Sequence, residues 1–322
     1  MTQAATPIRT RRIVRLTVAL VLAAALGPWL SGRMLSSGTA VHVEKRPEPV
    51  RTLRDSAVRI ASWNLAHGRG GKLGETNWVD QAQRRQRLKS IGQKIREFDA
   101  DVVVLNEVDF DTVWSNHEDQ PSVIAEVAGY PHIVRQRNYN IVFPFARWRF
   151  GNAMLSRLPI VSAEFIGFEP RSGLESALAG NHDSVVVTLD AGKGRTFKVW
   201  AVHLEVRDEA TRARAAEQIV GECDDLTVIA GDFNSSPTGF KVRKEAADGA
   251  NAIDTLMASD KFRFFPKTDP NAATMTFPSE APDRCIDWIV APRSWRLVDG
   301  EVVQSDLSDH LPVVTEWQMV GE

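Results

Sequence analysis

Val228–Pro237 reads VIAGDFNSSP. An apolar run stops at Gly231, and a carboxylate, Asp232, and an amide, Asn234, then leave it two residues apart. Leu226 to Ala230 has the length and β-branched content of a buried strand, and Gly231, Ser235, Ser236 and Pro237 supply turn chemistry. Alone, the stretch has two readings. Either it is an Asx-type turn in which both side chains bond backbone N–H groups, or it delivers a pair of polar groups to a site at the mouth of a strand.

The same pattern recurs along the chain. Asn64 ends VRIASWN, Asn106 and Glu107 end VVVLNE, and His203 ends VWAVHLE. Asp287 opens the apolar part of IDWIV, and Asp309 and His310 precede LPVV. Any one of these is open to a structural reading as a cap or a satisfied core group. Six strand ends carrying an amide, a carboxylate or an imidazole are better explained by convergence on one site, where α/β folds place their chemistry.

Between these strands the periodicity changes from 2 to 3.6. Val79 to Phe98 presents Leu88, Ile91, Ile95 and Phe98 on one helical face, and further helices are expected near Ser122–Val127 and Thr211–Val220. Strands are expected around Ile133, at Asn152–Leu155 and in a run to Val206. Strands outnumber helices and many look buried on both faces. This predicts an α/β sandwich of sheets covered by helices, in one domain from about Val58 to the C-terminus, residues 57–322.

Composition sets limits on function. A chain of 322 residues with 43% hydrophobic and 25% charged content is long enough for a large globular core. The net charge of −2 hides an asymmetry: residues 1–50 hold seven Lys/Arg against two Asp/Glu, leaving 32 basic and 39 acidic residues in the remainder. A body of that sign is not built for bulk nucleic-acid binding, so no strong nucleic-acid affinity is expected. The two cysteines, Cys223 and Cys285, are expected to be unpaired, Cys285 within a strand and Cys223 after a helix; without a CxxC or Cys/His cluster there is no structural zinc site.

At the N-terminus, Arg9, Arg11, Arg12 and Arg15 precede the apolar LTVALVLAAALGPWL, Leu16–Leu30. Residues 1–30 read as an export signal or signal anchor, with the arginines holding its start in the cytoplasm. The alternative is a buried core helix. Thr39-Ala40 offers a late cleavage site, and TRRIVR is weakly similar to a twin-arginine signal. Residues 31–56 read as a linker. The expected location is membrane-anchored with the body outside the cytoplasm, or secreted or periplasmic after cleavage, as a monomer.

The ordered set SWN, NEV, GNAMLS, HLE, GDFN, IDWI and SDHLP resembles the endonuclease/exonuclease/phosphatase superfamily, over about residues 58–318. That superfamily includes pancreatic-type deoxyribonucleases, abasic-site endonucleases, neutral sphingomyelinases and inositol polyphosphate 5-phosphatases. One departure is Asn106, where the family usually has Gln before its metal-binding Glu. The resemblance implies a four-layer α/β sandwich, two mixed β-sheets flanked by helices, and hydrolysis of phosphate esters with Mg²⁺, Mn²⁺ being a substitute. It implies Glu107 and Asn64 as metal ligands, with Asp309 binding metal or the network around it. Asp232 would orient or deprotonate a water that Asn234 holds in line, and His310, as a cation supported by Asp287, would hold the phosphoryl group. His203 and Asn152 would donate to other phosphoryl oxygens.

The substrate is open at this level: a small or lipid phosphoester, or nucleic acid. RQRNYNIVFPFARWRF, Arg135–Phe150, reads either as a phosphate- or lipid-facing lip or as two amphipathic strands with solvated arginines. NLAHGRGG after Asn64 reads as a glycine-rich connection. The alternative to an enzyme is a catalytically silent relative that uses the cleft for binding.

Overall fold

The computed structural model describes residues 13–23, 27, 40–46, 51–53, 56–143, 146–169, 182–243, 245–271 and 274–319. Why its central strands are apolar on both faces follows from where their alternate side chains go. In β3 (Val102–Asp109), Val102 and Val104 face one core while Val103 and Leu105 face another. In β8 (Arg195–His203), Val199 and Ala201 face the first core and Trp200 and Val202 a third. A strand that alternates between two dry faces has no polar face to show.

Two sheets produce this. One has the order β1 (Val41–Lys45), β4 (His132–Phe143), β5 (Ala146–Ser156), β3, β2 (Ala57–Asn64), β13 (Val313–Gln318) and β12 (Arg296–Val302). The other has the order β10 (Phe262–Phe265), β11 (Asp287–Pro292), β9 (Thr227–Asp232), β8, β7 (Ser184–Gly192) and β6 (Ile160–Ile166). The first core lies between the sheets. The second lies under α1 (Gln81–Glu97) and α2 (Gln120–Ala128), and the third under α3 (Glu209–Glu222) and α4 (Ala252–Ala258). This is the four-layer α/β sandwich expected.

Each sheet is mixed because each holds one parallel pair, β2 with β3 and β8 with β9. A parallel pair needs a crossover, and α1 and α3 supply them. Both helices start on an aspartate cap, Asp80 accepting from Gln83 N and Asp208 from Thr211 N. Leu88, Ile91 and Ile95 bury one face of α1 at helical spacing. The consequence for function is positional: β2, β3, β8 and β9 all end at the same edge of the sandwich.

Some elements differ from the sequence expectation. The stretch expected as a linker contributes β1, which pairs antiparallel with β4 from Val41↔Gln136 to Lys45↔His132. Helix α4 carries no strong apolar period of its own and is fixed by its Asn251 cap, which accepts from Ile253 N and Asp254 N. Both cysteines are free, Cys285 buried just ahead of β11 rather than within a strand. The Arg135–Phe150 stretch forms the β4–β5 hairpin.

Residues 13–23 are helical and exposed. Among the described residues no helix is long and apolar enough to cross a membrane. The rest of the expected signal segment, residues 1–12, 24–26 and 28–30, lies outside the described residues.

Candidate active site

Strand register brings the polar ends together. Asn64 pairs with Asn106, His203 with Asp232, and Asp232 with Asp287 across adjacent strands. Asn106 then ties the sheets to each other: its amide donates to Val202 O at 2.9 Å and Asn152 Oδ1 at 2.8 Å, and its oxygen accepts from Asp232 N at 3.0 Å. Within the second sheet, the close approach of the β8 and β9 backbones explains Gly231. Its φ is +149°, and a Cβ there would stand 1.8 Å from Val202 O, so only glycine fits.

The quoted stretch combines both of its readings. Asp232 Oδ1 accepts from Asn234 N at 2.8 Å, the Asx-type turn, with Asn234 left-handed at φ 52°. Asp232 Oδ2 is turned to the other polar strand ends, 3.0 Å from Asn64 Nδ2, 3.7 Å from His203 Nε2 and 3.8 Å from His310 Nε2. The serines that follow are anchors: Ser235 Oγ donates to Glu209, Ser236 Oγ to Cys285 O, and Trp288 Nε1 to Ser235 O. Asn234 donates its amide to Leu204 O at 3.0 Å.

His310 and Asp287 form a buried pair. His310 Nδ1 lies 3.0 Å from both Asp287 oxygens, and Thr276 Oγ1 donates to Asp287 Oδ2 at 2.7 Å. Burial opposes charge on the ring, but the Asp287 and Asp232 carboxylates more than reverse this and raise its pKa to about 10. Asp232 is pushed up to about 7 by burial and by the charge of Asp287. One ligand atom each from Asp232, Asp287 and His310 lie within 4.8 Å of one another, close enough for a metal. The two carboxylates favour the protonated ring between them.

Glu107 offers a further oxygen donor for a metal. It is a quarter exposed, at φ 50°, where the pairing of β3 with β5 shifts register between Leu105 and Val108. Although burial would raise it, His67 and His203 with His310 and Arg69 lower its pKa to about 2. A carboxylate kept ionised at the cleft fits a hard divalent cation. So does Asp309 Oδ1, buried with no hydrogen-bond partner.

Other expected residues take different contacts. Asn64 presents its NH₂ group to Glu107 (3.2 Å) and Asp232, while its oxygen accepts from Ala66 N, so it links the carboxylates. Asp309 Oδ2 is paired with Arg69 Nη2 at 2.8 Å. Asn152 is fully buried, its amide donates to Gln136 Oε1 and Asp183 O, and its oxygen accepts from Asn106, so it is part of the Asn106 network. His203 stands between Glu107 and Asp232, and burial lowers its pKa.

Sequence reading missed His67, Asp109, Arg69 and His182. His67 bonds Asp109 and approaches Glu107. Asp109 and Glu107 raise its pKa against the opposing effect of burial. His182 packs edge-on against His203, and burial with that neighbour pushes its pKa down to about 4. His67 and Arg69 lay in the glycine-rich stretch; their spacing of three and five residues from Asn64 was the available signal. In the hairpin, Arg147 and Arg149 pair with Asp111, and Tyr139 stacks on Phe150 at 4.9 Å.

Comparison with known proteins agrees with this architecture. Among solved structures, an endonuclease/exonuclease/phosphatase from Beutenbergia cavernae superposes with a TM-score of 0.62 at 23% identity, over 82% of this chain and 72% of that one. A mannosyl-6-phosphatase from Bacteroides thetaiotaomicron gives 0.54 at 17% identity, over 81% and 99%. TDP2 from D. rerio, complexed with a single-strand DNA product, gives 0.51 at 12% identity, over 82% and 99%. No curated protein matches the chain. The model of the endonuclease/exonuclease/phosphatase family matches residues 61–310, which hold every strand end described above, and the chain belongs to that family.

Proposed function

We propose that the protein is a divalent-cation-dependent hydrolase of phosphate esters, exported or membrane-anchored through its N-terminal segment, with Mg²⁺ or Mn²⁺ as the cation. The observation that carries this reading is the buried Asp232–His310–Asp287 series joined to Glu107 by Asn64, whose amide donates to both Asp232 and Glu107. A phosphate ester repels nucleophiles, and a hard cation held by Glu107, with Asp309 beside it, would neutralise charge on its oxygens. His310 Nε2, protonated and aimed into the cleft, donates to a phosphoryl oxygen while Asp287 fixes the ring. Asp232, with its pKa brought near neutrality, takes a proton from water through Oδ2. Asn234, held in its turn by Asp232 and Leu204, lines the path of that water.

The phosphoester class is a lipid head group, a small phosphate ester or a nucleic acid, and solved structures of similar fold include both a mannosyl-6-phosphatase and a TDP2 complexed with a single-strand DNA product. A panel of generic and specific phosphoesters assayed with Mg²⁺, with Mn²⁺ and with EDTA tests the proposal. Turnover that requires the cation and is lost in Asp232→Asn supports it. No turnover of any phosphoester by folded, metal-supplied protein would leave the cleft as a binding site.

A further inference from the structure

We infer that His67 is a nitrogen ligand to the divalent cation at Glu107, an assignment that rests on the metal-dependent reading above. Strand β2 leaves the sheet at Asn64 and turns through Ala66, His67 and Gly68, with φ angles of 48°, 56° and 65°. Left-handed backbone costs a non-glycine residue about 1–2 kcal/mol, so two in succession persist only when surroundings impose them. The surroundings are there. Asn64 Oδ1 accepts from Ala66 N, Gln120 Nε2 and the buried Arg84 donate to His67 O, and Arg87 donates to Gly68 O.

What the turn achieves is the aim of one side chain. His67 Nδ1 meets Asp109 Oδ1 at 2.8 Å. Asp109 is fully buried, and its other oxygen receives Trp114 Nε1 at 2.9 Å and Gln120 Nε2 at 3.3 Å, with Arg84 at 3.8 Å. A carboxylate surrounded by donors accepts, so Nδ1 carries the hydrogen. Nε2 is then the atom that faces the cleft, 3.5 Å from Glu107 Oε2. Phe150 and Trp114 hold the ring edge-on, with centroids 4.9 Å and 5.6 Å away. An imidazole that gives one N–H to a carboxylate and turns its other nitrogen to a second carboxylate has the arrangement of metal-binding histidines, in which the first carboxylate sets tautomer and ring angle.

The assignment has a chemical consequence. Mg²⁺ takes oxygen ligands and water, whereas an imidazole nitrogen favours first-row transition ions. The site should therefore hold Mn²⁺ more tightly than Mg²⁺, and Asp109 acts as a positioning residue through His67.

Mn²⁺ titrated into the metal-free full chain in detergent provides the test, with free ion counted by EPR and nitrogen couplings of bound ion read by pulsed EPR. Expected is one histidine nitrogen coupled to bound Mn²⁺, retained in His203→Gln and lost in His67→Gln, with Mn²⁺ binding weakened about 10–100-fold. Asp109→Asn should weaken binding by the same order and keep the coupling. Because His67→Gln disturbs a strained turn, wild-type chain labelled with ¹⁵N-histidine gives a readout without substitution: the coupling changes to that of ¹⁵N. Bound Mn²⁺ without nitrogen coupling in the wild type, or undiminished affinity in folded His67→Gln, overturns the assignment. Glu107→Gln separates the two levels. Binding lost there but unchanged in His67→Gln removes only the role of His67, and binding unchanged in both removes the metal site itself.

Discussion

Asp287→Asn keeps the shape of the His310–Asp287 pair and removes one charge. Both partners are buried, and both Asp287 oxygens lie 3.0 Å from His310 Nδ1. A histidine pKa of about 10 against 6.5 for the free ring means the fold prefers the imidazolium. At 1.36 kcal/mol per pH unit that preference is on the order of 5 kcal/mol, shared between Asp287 and Asp232. Removing one neighbouring charge should lower the pKa by about 1–3 pH units. The sign follows from linkage: the folded-state pKa is raised, so the stabilisation is complete below pH 6.5 and is lost as pH climbs through about 10. Asp232, raised to about 7, loses stability with rising pH in the same sense but over a lower window, from 3.8 upward. Urea unfolding in EDTA between pH 7 and 10 therefore covers the His310 window, and Asp287→Asn removes the support its carboxylate gives both His310 and Asp232. Wild type should lose up to about 4 kcal/mol across this window, and Asp287→Asn distinctly less. In kinetics, His310→Ala should lose about 10²–10³ in kcat, and the double variant should lose less than the product of the single losses. Identical pH dependence of stability in the two proteins, or fully multiplicative losses, would refute the pairing.

Three further outcomes are expected. Glu107→Gln should weaken Mg²⁺ or Mn²⁺ binding about 10–100-fold, read by calorimetry, with little change in melting temperature because the side chain fills no core; equal turnover in EDTA and in Mg²⁺ would contradict it. Gly231→Ala should cost about 3 kcal/mol or more in urea unfolding, since the atom met at 1.8 Å is the Val202 carbonyl oxygen rather than a side chain that can move. A reporter active only outside the cytoplasm should work when fused after Glu322, given four arginines before Leu16 and only Arg33 soon after Leu30; a reporter active only inside would reverse the orientation.

The sandwich was legible because its inner strands must be apolar on both faces. VVVL in β3 and VWAV in β8 cannot be surface strands, and a capped helix, α1 ahead of β3 and α3 after β8, links each to its parallel neighbour. Less legible was whatever depends on pairing across distance. Strand β1 is five residues of mixed character whose only distinction is its partner β4. The family resemblance offered Asn152 as a phosphate donor, and only its neighbours Asn106, Gln136 and Asp183 show the hydrogen bonds its side chain makes.

Glu107 shows where sequence chemistry and geometry part. The family resemblance named it as a ligand, but strict alternation along β3 would send it into the helix layer with Val103 and Leu105. Leu105 and Val108 both face that layer although they are three residues apart, which a regular strand forbids. The extra residue is accommodated at a bulge, and Glu107, at φ 50°, turns out of the sheet toward the cleft. The apolar spacing 105, 108 around a polar Asn-Glu pair is the trace of that bulge in the sequence. Asn234, Ala66 and His67 share the left-handed backbone. Side chains that must converge from two sheets onto one small volume cannot all do so from regular strand geometry, so the fold carries local strain at the site and offsets it with the buried Asn106 and Asp109 networks.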